Sequence, residues 1–313
     1  MKSGIINVYK EAGFTSFDVV AKLRGILKTK KIGHTGTLDP DATGVLPVCI
    51  GKATKVCDLL MDKDKVYEAV LLLGTKTDTL DISGEVLKKS PVMVDEMQVR
   101  EVIKEFVGEQ KQIPPMYSAL KINGQKLCDL ARKGIEVERQ ARDINVFSID
   151  ILEMKLPRIR MQIHCSKGTY IRSLCDDIGE TLGCGGCMES LIRTRVAGFS
   201  IEDAHSLDEI QEMMQQERVA EWMITVDQVF EQYPAIYTLK ESQKKVVNGA
   251  KLVRDDINDL SELLSENDVL KSDEKVSELQ EEQLYRIYTW DNQFVGIYLW
   301  KEGQFILQKM FLE

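Results

Sequence analysis

A chain of 313 residues, 43% of them hydrophobic, can bury one large core and a second small one. No apolar run reaches the roughly 18 residues that cross a bilayer, which argues against a membrane-spanning protein. The net charge of −9 argues against a uniformly basic nucleic-acid binder, yet it is unevenly spread: residues 1–200 hold 30 Lys+Arg against 26 Asp+Glu, and residues 201–313 hold 11 against 24. Phosphate binding needs only a local positive patch, so RNA stays open as a partner, and an acidic tail would discourage loose contacts with it.

Met1-Lys2-Ser3-Gly4 leads without an apolar leader into residues 5–8, which read as a first strand. Together with seven cysteines in no framework spacing, this points to reduced thiols and a cytoplasmic location. Thr15-Ser16-Phe17-Asp18 has the form of a capping box opening a helix that buries Val19, Val20, Leu23, Ile26 and Leu27. A cationic run, Lys28-Thr29-Lys30-Lys31, precedes the stretch from Gly33 to Pro47, which reads as one rigid loop. Residues 65–73 are rich in β-formers and end at Gly74, and residues 94–106 have helical spacing at Val99, Val102, Ile103 and Phe106 before Gly108. Ile159, Met161, Ile163 and Cys165 alternate with polar residues as a half-buried strand does. Ser166-Lys167-Gly168-Thr169 then turns the chain into a helix carrying Ile171, Leu174, Ile178 and Leu182, ended by Gly183.

Past residue 234 the composition shifts, and strands are expected over residues 285–290, 294–300 and 304–309. Residues 255–282 hold eleven acidic and two basic residues and read as an acidic, partly helical insertion. Strands and helices mix without regular alternation, so the fold class is α+β. The expected division is a large domain over 1–232 and a small, mostly β domain over 235–313.

In Gly33-His34-Thr35-Gly36-Thr37-Leu38-Asp39-Pro40-Asp41-Ala42-Thr43-Gly44-Val45-Leu46-Pro47, one carboxylate, Asp39, is fixed from behind by Pro40, which drives the residue before it into extended backbone. Asp before Pro is common in ordinary turns. Residue types alone admit any carboxylate-dependent chemistry. Gly51-Lys52 lacks the flanking residues of a phosphate-binding loop. Cys184-Gly185-Gly186-Cys187 lacks the second pair of ligands that a structural zinc needs, and no metal site is expected.

Residues 33–47, continued through Gly51-Lys52-Ala53-Thr54-Lys55, closely resemble the catalytic motif of the TruB-type tRNA pseudouridine synthases. The resemblance covers about residues 3–200 and recurs in later segments. It implies a mixed-sheet catalytic domain followed by a small PUA-like RNA-binding domain, and isomerisation of the T-loop uridine, position 55 of tRNA, without metal or organic cofactor. Asp39 falls on the family's catalytic aspartate. Arg172, in Gly168-Thr169-Tyr170-Ile171-Arg172-Ser173, falls on the arginine that pairs with it, a pairing expected to lower the Asp39 pKa. Tyr67 matches the tyrosine that stacks on the target base and assists proton transfer. His34 matches a residue that helps extrude the uridine, because a base must leave its stack before chemistry can reach it. Tyr170 and Leu191 are expected to line the base pocket.

Lys10 aligns with the family's Lys-Pro motif, although Glu11 stands in the place of the proline, and it is carried as a substrate-binding candidate. Ile113-Pro114-Pro115-Met116-Tyr117-Ser118-Ala119-Leu120-Lys121 with Gly124-Gln125-Lys126 resembles the family's RNA-gripping insertion, taken here as about 110–142. It offers Lys121, Lys126, Arg132, Lys133, Arg139 and Arg142 to phosphates. The Thr77-Asp78-Thr79 turn is expected to support Asp39. The implied partner is the tRNA T arm, with a monomeric enzyme and no obligate protein partner. Two alternatives stand beside this reading: a guide-dependent synthase of the dyskerin type, and a tRNA chaperone for which Asp39 is dispensable.

Overall fold

The computed structural model describes residues 3–258 and 279–312; residues 259–278 of the acidic stretch lie outside the described residues. The elements follow in chain order: β1 (Gly4–Lys10), α1 (Ser16–Ile26), β2 (Ile32–His34), β3 (Thr43–Ile50), α2 (Cys57–Met61), β4 (Lys65–Leu73), β5 (Thr75–Thr77), β6 (Val86–Lys89), α3 (Glu96–Glu105), β7 (Gly108–Gln112), β8 (Lys121–Ile122), β9 (Gln125–Lys126) and α4 (Leu127–Ala131). They continue with β10 (Arg142–Lys155), β11 (Arg158–Cys165), α5 (Ile171–Thr181), β12 (Gly186–Val196), β13 (Phe199–Ser200), α6 (Leu207–Gln215), β14 (Ala235–Tyr237), α7 (Gln243–Val247), β15 (Leu284–Tyr288), β16 (Phe294–Lys301) and β17 (Gln304–Met310). The chain divides into two compact units, the larger made of residues 7–48 and 57–219 and the smaller of residues 1–6, 49–56 and 220–313.

The main sheet runs in the order β1-β3-β12-β4-β11-β10-β7, with β2 against β3 and β13 against β12. It is mixed, because β12 runs parallel to β3 and antiparallel to β4. Period-2 alternation sets its two faces. Ala69, Leu71 and Leu73 of β4 and Ile159, Met161, Ile163 and Cys165 of β11 share one core with Ile171, Leu174, Cys175 and Ile178 of α5 and Val99 and Ile103 of α3. The intervening residues form ion pairs on the other face, Arg160 with Glu68 at 2.7 Å and Arg158 with Glu189 at 2.8 Å. α5 can lie close to β12 only because Gly179 has no side chain; a Cβ there would stand 2.2 Å from the Gly186 nitrogen.

Local signals place several boundaries. At α1, the Thr15 hydroxyl accepts from the Asp18 N–H (3.1 Å) and the Asp18 carboxylate accepts from the Thr15 N–H (2.9 Å). α3 begins two residues later than its spacing suggests, because Asp95 and Gln98 form a second capping box. The expected 33–47 loop is shorter in the structure. β2 extends through His34 and β3 begins at Thr43, so only residues 35–42 are loop. The run Val45-Leu46-Pro47-Val48 joins the sheet, and the Pro47 carbonyl accepts from both the N–H and the hydroxyl of Thr35.

In the smaller unit, β14 runs parallel to β15, and β15, β16 and β17 form an antiparallel meander. Its core holds Ile236, Val246, Leu252, Tyr285, Ile287, Val295, Tyr298 and Phe305, with Tyr285 and Phe305 edge to face at 5.6 Å. Among the described residues no helix is long and apolar enough to cross a membrane.

Candidate active site

Asp39 sits in the 35–42 loop, and neighbouring backbone holds that loop in place. The Leu38 N–H donates to the Ser16 hydroxyl at the start of α1 (2.9 Å), the Gly13 N–H donates to the Pro40 carbonyl (3.0 Å), and the Ala42 N–H donates to the Asp39 carbonyl (3.2 Å). Lys10, 0% exposed, lies beneath this loop. Its ammonium donates to the carbonyls of Glu11 (3.0 Å), Phe14 (2.6 Å) and Pro40 (2.9 Å). The expectation that Lys10 binds substrate is corrected here: its three N–H groups are taken by backbone, and its task is to fasten the loop to the end of β1. Burial pushes the Lys10 ammonium down to about 8, against the pull of Asp39 and Asp41.

Arg172 meets Asp39 side by side, Nε to Oδ2 at 3.0 Å and Nη2 to Oδ1 at 3.2 Å. The β11 strand, the 166–169 turn and the first turn of α5 deliver it there. Its remaining donors reach the Tyr117 carbonyl (2.8 Å), the Thr79 carbonyl (3.1 Å) and the Asp81 carboxylate (3.5 Å). The Thr77–Thr79 turn therefore acts on Asp39 through Arg172, and Asp81 is its working carboxylate. The Thr79 hydroxyl (2.8 Å) and the Ser83 hydroxyl (2.6 Å) both donate to Asp81. The expected fall of the Asp39 pKa is overturned. Burial pushes the carboxyl above its ordinary value, Arg172 pulls it back, and Asp81 adds to the rise. The Asp39 side chain still keeps 37% of its surface in solvent, which leaves it reachable.

Tyr67 lies on the core face of β4, directly across from Arg193 of β12. Leu191 packs in the same cluster as Tyr67, Leu38 and Ala42, so it is a core residue as well as a neighbour of the loop. His34, at the end of β2, accepts from the Gly36 N–H through Nδ1 (3.3 Å), and burial moves its imidazole toward the neutral form. Tyr170 is fixed through its backbone: its N–H donates to the Gln112 side-chain oxygen (2.8 Å), and the Gln112 amide donates to its carbonyl (3.0 Å). Burial also raises the Tyr170 hydroxyl.

Lys121 and Lys126 face each other across the β8–β9 hairpin and line a groove with Gln125, Asp129 and Lys133, apart from Asp39. Their segment reaches the site through the Tyr117 carbonyl on Arg172 and through the Ser173 hydroxyl, which donates to the Ile113 carbonyl (3.3 Å). Cys184 and Cys187 are buried, and burial pushes the Cys187 thiol up to about 11, which suits packing rather than thiolate chemistry. Three residues of the site were not singled out from sequence: Asp81, Gln112 and Arg193. Only for Arg193 is there a local signal, its parity with Leu191 on one strand face.

The arrangement offers a solvent-reachable carboxylate, a forked cation on it, and a buried phenol nearby. Residues 24–171 match the sequence family described as "TruB family pseudouridylate synthase (N terminal domain)", and residues 172–231 match the "tRNA pseudouridylate synthase B C-terminal domain". The chain belongs to the TruB family of pseudouridylate synthases. The TruB family match divides between Ile171 and Arg172, so Asp39 lies in one part and its arginine opens the other. A tRNA pseudouridine synthase B of Lachnoclostridium phytofermentans is 51% identical, over 99% of this chain and all of that protein. The protein of the same name from Clostridium kluyveri is 43% identical, over 99% of each. Among solved structures, a chain of a Cbf5-Nop10-Gar1 complex superposes with TM-score 0.69 at 27% identity, covering 99% of this TruB-family chain and 85% of that one.

Proposed function

We propose that this pseudouridylate synthase acts on tRNA, isomerising the T-loop uridine at position 55, with Asp39 as the essential carboxylate. The observation that carries the reading is the two-point Asp39–Arg172 pair, in which a carboxylate is oriented by its partner yet open to solvent. Breaking the N1–C1′ bond develops positive charge on the sugar, which a fixed carboxylate stabilises or captures. The relatives named for tRNA pseudouridine synthesis support the substrate class. Tyr67 stacks on the base, His34 helps to extrude it, and Tyr170 and Leu191 bound the pocket. The 110–142 insertion grips the T arm through Lys121 and Lys126, and the β14–β17 sheet is a second, PUA-like RNA contact. The enzyme works as a cytoplasmic monomer, without cofactor or protein partner.

The test is tritium release from a T-arm transcript labelled at uridine C5, comparing wild type with Asp39→Asn. Release by wild type alone supports the reading. Absence of release by both, with tRNA bound, would move the protein to the chaperone or guide-dependent reading.

A further inference from the structure

Arg193 is a buried cation for which the described residues supply no carboxylate. It is 1% exposed, and its guanidinium donates to the Val45 carbonyl of β3 (2.8 Å) and the Gly36 carbonyl of the catalytic loop (3.3 Å). It is the direct cross-strand neighbour of Tyr67, and its charge acts on the Tyr67 hydroxyl. Taking such a charge out of water costs several kcal/mol even after relaxation, and an apolar side chain would fill the space without that cost. The strand register explains how one residue reaches three elements: Arg193 stands opposite Gly44 on β3 and opposite Tyr67 on β4.

A guanidinium has donors and no acceptor. Toward Arg193 the Tyr67 oxygen can therefore only accept, which leaves its own hydrogen to point elsewhere. Burial raises the Tyr67 hydroxyl above its ordinary value, and Arg193 is the strongest influence pulling it back. We propose that Arg193 is a positioning residue for proton transfer at uracil C5, holding the Tyr67 oxygen in place as the proton acceptor and stabilising its anion. The inference rests on the isomerisation reading above.

The step balances. Once the base has rejoined the sugar through C5, the C5–H bond breaks and its electron pair forms the C5–C6 double bond. The electrons of the N1–C6 double bond move onto N1, which takes a proton from water. The Tyr67 hydroxyl gives up its own proton to solvent and its oxygen takes the C5 proton, which restores the phenol.

Arg193→Gln, Arg193→Lys, Tyr67→Phe and the Tyr67→Phe/Arg193→Gln double variant would be assayed in single turnover on T-arm transcripts with 5-protio or 5-deuterouridine. Arg193→Gln is expected to slow turnover by about tenfold or more, one pKa unit of lost stabilisation. It should raise the C5 deuterium isotope effect above wild type while tRNA affinity stays within about threefold. Adding it to Tyr67→Phe should change neither rate nor isotope effect. Arg193→Lys keeps the charge without the fork, and it should fall between wild type and Arg193→Gln. Slow turnover with an unchanged isotope effect would overturn the proposal, as would an Arg193→Lys variant with wild-type rate, which also serves if Arg193→Gln does not fold. A wild type that releases no C5 tritium would instead sink the reading of the reaction, leaving Arg193 a structural residue.

Discussion

Asp39 is held between two opposed influences, burial that favours its neutral form and Arg172 that favours its anion. Because burial outweighs the ion pair, Asp39 takes up its proton at a higher pH than an ordinary aspartate. Single-turnover rates should therefore fall as pH is lowered through a value above 3.8, the acid limb lying to the alkaline side of an unperturbed Asp. The sign for stability is the opposite: between the unfolded and folded values the native chain binds the extra proton, so this contribution is present at low pH and is lost as pH rises through the folded value. Arg172→Met removes the opposing cation and the two-point contact. Turnover is expected to drop by roughly 10²-fold or more with tRNA affinity nearly unchanged, measured by single turnover beside filter binding. Its thermal unfolding should show a loss of about 2–4 kcal/mol, less than for a fully buried pair because Asp39 is partly in water.

At the scale of elements, β3 and β12 must approach each other closely for Arg193 to reach the loop. Gly44 has φ of +106°, and a Cβ there would stand 2.2 Å from the Arg193 carbonyl oxygen, a backbone atom that cannot swing away. Gly44→Ala should lower the urea midpoint by an amount equivalent to about 3 kcal/mol or more. The β8–β9 hairpin makes a different prediction. Replacing Lys121, Lys126 and Lys133 together by Gln should reduce the slope of log affinity against log salt by about one for each phosphate no longer neutralised, read from tRNA binding at several salt concentrations.

These elements also show what sequence conveys. The capping box at Thr15, the alternation of β11 and the β16 and β17 strands are local patterns, each legible from a few neighbouring residues. The Asp39 and Arg172 pair was legible through family resemblance. β10 and β12 were not: β12 carries Glu189, Arg193 and Arg195 and two register shifts against β4, which break its alternation. Arg193 and Asp81 look like surface residues because their burial and partners depend on strands and turns distant in sequence. The pKa of Asp39 was misjudged for the same reason, since an ion pair can be guessed from a motif and the depth of its surroundings cannot.

For the molecule as a whole, charge is divided between the first 200 residues and the acidic remainder. Deleting residues 259–278 should strengthen binding to unrelated RNA at low salt and leave T-arm turnover near wild type, because repulsion screens out within about 10 Å at 0.1 M salt. Equal affinity of both proteins for unrelated RNA across that range would remove this role for the acidic stretch.

The Asp39–Arg172 contact joins residues 133 positions apart in sequence. On a ribosome adding about 5–20 residues per second, the aspartate leaves the exit tunnel roughly 7–27 s before its arginine. A nascent chain in that interval carries the acid without its cation, and a fragment that stops before residue 172 never acquires it. Products that stop short of residue 172 therefore lack the pair on which the proposed chemistry depends.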